Sequence, residues 1–194
     1  VAWAVAGFYP QRVQALVVAN CPPPQVMAKA LKRSPRQLKK SLYMVFFQLP
    51  VIPERMLTAD GSRAIGRSLV GGSYVRSAFD EDEIKIYQDA FSEPGAASAA
   101  LGWYRAAMRH PRSGARLSRT RVSAPTLILW GERDRFLGVE LVDDAALADV
   151  MSQGNGADVK KLPDAGHFVQ NEAPDLFNEL LLDWLSNQDA SSSS

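Results

Sequence analysis

"APTLILWGERD", residues 124 to 134, is an almost continuous apolar run that stops at Gly131 and gives way to Glu132, Arg133 and Asp134. It is too short for a helix and does not alternate, which predicts a strand buried on both faces of a parallel sheet. "VQALVVAN", Val13 to Asn20, has the same character, and "CPPP" (Cys21 to Pro24) ends it because proline cannot donate to a ladder. A third, shorter run, "DVKKL", spans Asp158 to Leu162. Parallel strands need crossovers, and the connections here are helical, so the fold class is α/β.

Working outward, Val1 to Phe8 reads as the end of a buried helix. Ser34 to Leu49 carries Leu38, Leu42, Val45, Phe46 and Leu49 at helical spacing, closed by Pro50. "DEDE", Asp80 to Glu83, is a capping box that opens a helix running to Phe91. An alanine-rich helix precedes Pro111, and Val139 to Met151 is predicted helical. Asn171 to Ser186 is amphipathic, with Leu176, Leu180, Leu181 and Trp184 on one face. The expected division is a first core segment over 1–24, a helical lid over 25–120, a second core segment over 121–187 and a disordered tail over 188–194.

A net charge of +1 gives no electrostatic reason to expect nucleic acid. Lys29, Lys32, Arg33, Arg36, Lys39 and Lys40 are expected on the solvated face of one helix. A single cysteine excludes an internal disulfide and any cysteine-based metal site, in keeping with a cytoplasmic location. No apolar run approaches the ~18 residues of a membrane span. The opening "VAWAVAGFYP" has no basic n-region and reads as the middle of something longer.

Asp134 and His167 carry the chemical signal. Each lies just past a strand, one crossover apart, so both are expected at the carboxyl edge of the sheet, where ligands bind. Acid, then histidine, each in a strand-end loop, is the order of the last two members of an α/β-hydrolase triad. His110, the other histidine, is read as a surface cap at a helix C-terminus.

The blocks "LILWGERD…LPDAGHFVQNEAP…LLDWL" resemble the C-terminal half of the α/β-hydrolase superfamily. "VAWAVAGFYPQRVQALVVANCPPP" resembles the segment after the nucleophile elbow in the branch holding epoxide hydrolases and haloalkane dehalogenases. "SLYMVFFQLP" and "ALGWYRAAM" look like the two lid segments in which epoxide hydrolases place a tyrosine each, here Tyr43 and Tyr104. The resemblance implies a partial α/β-hydrolase fold and hydrolysis of a small apolar epoxide by water through an alkyl-enzyme ester. Asp134, His167, Tyr43 and Tyr104 would be catalytic, Phe47, Trp103 and Phe168 would wall the pocket, and no cofactor or metal is called for. Trp103 could alternatively serve a dehalogenase as a halide donor. A homodimer is compatible with such a lid.

No G-x-[DS]-x-G elbow occurs in these 194 residues, so the nucleophile is expected upstream of Val1 and this portion alone is expected to be inactive. By the same topology, Val13 to Asn20 would present a bare valine-rich edge, which predicts poor solubility in isolation. A dehalogenase, an ester hydrolase of the same superfamily and a non-catalytic binding protein are the alternatives. The joint presence of Asp134, His167, Tyr43 and Tyr104 speaks against the last.

Overall fold

The computed structural model describes residues 1–110, 120–154 and 156–192, with residues 189–192 described by backbone alone. Three parallel strands form a sheet in the order β1 (Leu16–Ala19), β2 (Thr126–Gly131), β3 (Ala157–Leu162). Leu16 lies beside Thr126, and Thr126 beside Ala157, so all three strands end along one edge. Helix α1 (Ala2–Phe8) precedes β1. Between β1 and β2 come α2 (Pro24–Arg33), α3 (Pro35–Lys40), α4 (Leu42–Phe46), α5 (Ile52–Gly72), α6 (Glu81–Ser92) and α7 (Ala96–Arg109). After β2 come a 3-10 turn at Val139–Val142 and α8 (Asp144–Leu147), then, beyond β3, α9 (Val169–Glu172) and α10 (Pro174–Ser192).

The character of β2 explains the layering. All six of its residues are buried, and successive side chains face opposite sides. Ile128 and Trp130 join Trp3, Ala6, Leu16, Val18, Val26 and Leu141 on one face. Leu127 and Leu129 join Leu162, Val169 and Trp184 on the other. A third cluster, Leu57, Ile65, Leu69, Phe79 and Leu101, belongs to the helical segment, and Phe168 packs against it from the loop after β3.

Several sequence expectations need correction. The strand predicted over Val13–Asn20 is reduced to Leu16–Ala19, the four residues that pair with β2; Leu16 and Val18 are buried on one face, whereas Val17 and Ala19 are half-buried on the other. The single helix over Ser34–Leu49 is two helices. Ser34 caps α3 through its Oγ, which accepts from the Gln37 N–H; the break comes at Ser41, whose backbone leaves the helical conformation (φ −101°, ψ 8°) while its hydroxyl is bound by the Gln37 side-chain amide. The apolar positions Leu38, Leu42, Val45 and Leu49 of that stretch are exposed. Val139–Met151 breaks at the extended Asp143, and Met151 forms a parallel bridge with Val122. On α10, Phe177 rather than Leu176 turns inward with Leu180, Leu181 and Trp184; these four fall at i, i+3, i+4 and i+7, the spacing of one helical stripe, and Leu176 is left exposed. The backbone stays helical to Ser192 where a disordered tail was expected, since extending a packed helix needs no new nucleus; Ser193 and Ser194 of that tail lie outside the described residues. The Asp80–Glu83 capping box forms as expected.

Candidate functional site

Three strand ends deliver three polar side chains to one place. Asn20 follows β1, Asp134 follows β2 and His167 follows β3. Asp134 Oδ2 lies 2.9 Å from His167 Nδ1 and accepts a 2.6 Å bond from the Asn20 amide. Asp134 Oδ1 accepts from the backbone N–H groups of Phe136 at 2.7 Å and Leu137 at 3.0 Å. The Asp134 side chain has no exposure, whereas that of His167 keeps 30%, so the imidazole is the open end of the pair. Burial alone would push the Asp134 carboxyl up; the bonds from His167, Asn20 and Phe136 outweigh it and hold the group below the ordinary carboxylate value. Tied through Nδ1, the ring of His167 leaves Nε2 as the nitrogen free to exchange a proton.

Asn20 was not singled out from the sequence. It is buried, has φ of +40°, and its Oδ1 accepts from the Gly131 N–H at 2.7 Å while its amide holds Asp134. The readable signal was an asparagine, a residue that tolerates the left-handed region, at the abrupt end of a strand.

The helical segment brings aromatic rings up to this pair. The Tyr43 ring lies 5.9 Å from Tyr104, 5.5 Å from Phe47 and 5.7 Å from Phe136 between centroids. Phe136 in turn lies 5.0 Å from the His167 ring, and Phe168 lies 5.1 Å from it on another side. Burial raises the pKa of both phenols, and Tyr104 and Asp134 raise that of Tyr43 further. Both hydroxyls therefore keep their protons well into alkaline conditions. Arg105, next to Tyr104, binds Glu54 and donates to the carbonyls of Phe47 and Leu49, which fixes α7 against the chain after α4.

Tyr43, Tyr104, Phe47, Phe168, Asp134 and His167 thus converge. Trp103 does not: it is 67% exposed and makes none of these ring contacts, because the adjacent position on α7 points about 100° away from Tyr104. His110 caps α7 through its backbone N–H, which donates to the Ala106 carbonyl, and lies exposed.

The basic cluster is also corrected. Its residues divide between α2 and α3, and Lys40 is no solvated ornament: its Nζ donates to the Asp134 carbonyl at 2.8 Å and to that of Leu137 at 3.3 Å. Beside it, the fully buried Gln37 donates to the Phe136 carbonyl and accepts from the Gly138 N–H. Two residues of α3 therefore grip the loop that carries Asp134. Neither was legible, because both sit among ordinary surface residues in the chain.

An acid and a histidine in strand-end loops of a parallel sheet, with helices inserted between the strands, define a partial α/β-hydrolase fold. No family model matches the chain. It is 31% identical to epoxide hydrolase 4 of Homo sapiens, an alignment covering 97% of this chain and 51% of that protein. It is 32% identical to the AB hydrolase superfamily protein YfhM of Bacillus subtilis, with 97% of this chain and 63% of that protein covered. Among solved structures, an epoxide hydrolase mutant from Bacillus megaterium, complexed with its product (R)-3-[1]naphthyloxy-propane-1,2-diol, superposes with a TM-score of 0.77 at 26% identity over 95% of this chain and 64% of that one. The chain's homologues are epoxide hydrolases and α/β-hydrolase-superfamily proteins, and it spans about half the length of such a hydrolase, in keeping with the C-terminal portion. Among the described residues no helix is long and apolar enough to cross a membrane.

Proposed function

We propose that this chain carries the lid, the acid and the base of an epoxide hydrolase whose nucleophile, an aspartate, lies upstream of Val1. The segment from Gln25 to Thr120 is the lid. In the first step the upstream carboxylate attacks one epoxide carbon; that C–O bond breaks, and the ring oxygen, held by the Tyr43 and Tyr104 hydroxyls, takes a proton from one of them. In the second, His167 takes a proton from water, which adds to the ester carbonyl. The alkyl oxygen leaves with a proton as the diol, the carboxylate is regenerated, and the proton on His167 restores the phenol. Asp134 orients the imidazole and stabilises its charged form.

The observation that carries this reading is the pairing of two phenols, both with raised pKa, with an aspartate-bound histidine across one aromatic ring, Phe136. Phenols suit a developing alkoxide. The exposure of Trp103 speaks against it as the halide donor that a dehalogenase would use.

The test is product analysis on the full-length protein. Styrene oxide should give the diol, with loss of turnover in His167→Ala, whereas release of halide from a haloalkane or of acid from an ester in its place would overturn the reading. The 194 residues alone should show no epoxide hydrolysis.

A further inference from the structure

Glu172 lies in the turn after His167, is buried to 8% exposure, and belongs to none of the steps above. Four backbone N–H groups converge on its carboxylate. Its Oε2 accepts from Tyr74 at 2.7 Å, Val75 at 2.9 Å and Gly166 at 2.9 Å, and its Oε1 accepts from Phe168 at 3.0 Å. Gly166 and Phe168 flank His167 on both sides. Tyr74 and Val75 belong to the helical segment, immediately after α5, so one side chain bonds the loop of the base and the lid together.

The surroundings are built to that fit. A Cβ at Gly166 would come within 2.9 Å of Glu172 Oε1 and of the Tyr74 nitrogen, so that position has room for glycine only. A Cβ at Gly72 would meet Phe136 at 2.9 Å and Phe168 at 3.1 Å, the two rings that contact His167. The loop after β2 reaches the same stretch: Arg135 donates to the Gly71 carbonyl, and the Arg133 guanidinium lies 5.5 Å above the Tyr74 ring. The lid meets both loops of the acid–base pair at residues 71–75, and Glu172 is the buried carboxyl group at that joint.

We propose that Glu172 is a positioning residue for His167: it fixes the two amides that flank the histidine and registers them against residues 74 and 75 of the lid. It touches no substrate. Its function is to hold the imidazole where the bond from Nδ1 to Asp134 and access from Nε2 to water coexist, which requires placement finer than ~1 Å. The proposal rests on the base role given to His167 above.

Two measurements on the full-length protein test it. In the unsubstituted protein, hydrogen exchange should show the amides of Tyr74, Val75, Gly166 and Phe168 protected as a group although they lie outside regular structure; exchange at free-loop rates would overturn the proposal. Glu172→Gln keeps the shape but turns one acceptor into a donor facing an N–H. Nitrogen NMR of the His167 ring should then show loss of the single Nδ1–H tautomer, and kcat for styrene oxide should fall roughly a hundredfold with KM changed less than about twofold. A lower melting temperature with an unchanged tautomer and unchanged kcat would assign Glu172 to stability alone and overturn the proposal. If the unsubstituted protein does not turn over styrene oxide, the epoxide hydrolase reading fails, and the tautomer and exchange data still decide the role of Glu172.

Discussion

Tyr43 shows how one side chain serves packing and chemistry with different atoms. Its ring meets Phe47, Tyr104 and Phe136 edge to face, and those contacts survive replacement by phenylalanine. In the proposed reaction its hydroxyl, with a pKa raised by burial, is the proton-bearing group. Tyr43→Phe is therefore expected to leave the melting temperature within a few degrees while lowering kcat on an epoxide by roughly a hundredfold, read by thermal denaturation and initial rates on the same preparation. Asp134 gives a second test, on stability. Its folded pKa lies below the ordinary 3.8, so its bonds add stability that is complete above the unfolded value and disappears as pH falls through the folded one. The urea midpoint of the wild type should fall below about pH 4, and Asp134→Asn should have a lower midpoint at neutral pH but a shallower acid slope. Asp134 and His167 were legible because strand ends announce themselves in the chain. Glu172, Gln37 and Lys40 were not, because what makes them matter is a set of backbone groups supplied by distant segments.

At the scale of elements, the sheet was legible and the helices only roughly. A run such as "LILWG" admits one reading when both of its faces are buried, and β2 falls where that reading put it. The helices of 34–49 and 139–151 were read too long because the backbone leaves the helical conformation at Ser41 and at the extended Asp143, which periodicity does not register. The join between the elements is tighter than either pattern implies. The Arg133 N–H donates to the Ala165 carbonyl at 2.9 Å, and the loops after β2 and β3 meet at Gly131. A Cβ built there would lie 2.1 Å from the Gly166 oxygen and 2.6 Å from that of Ala165, both backbone atoms that cannot rotate away. Gly131→Ala is thus expected to cost about 3 kcal/mol or more and to displace the loop that carries His167. Chemical denaturation measures the first effect, and loss of turnover beyond the unfolded fraction measures the second. An effect below about 0.5 kcal/mol would show that the two loops do not approach as closely as described.

For the whole molecule, the decisive feature is how few strands the sheet has. β2 is paired on both edges and buried on both faces, whereas β1 and β3 are each paired with β2 alone among the described residues. Val17 and Ala19 of β1 are only half-buried, and Val1, Val5 and Tyr9 of the preceding helix are exposed. An open row of backbone donors and acceptors beside apolar side chains is a template for pairing with another chain. In the relatives the matched stretch is about half of a longer protein, and on the reading proposed above the rest of such a protein would cover this edge. The 194 residues expressed alone are accordingly expected to associate in a concentration-dependent way, to bind a hydrophobic dye and to melt broadly, while the full-length protein melts sharply. Light scattering and calorimetry on both polypeptides make the comparison. If the 194 residues instead form a monodisperse monomer with one cooperative transition, the edge of β1 is protected by its own neighbours, and both the solubility expectation and the need for an upstream partner strand are wrong.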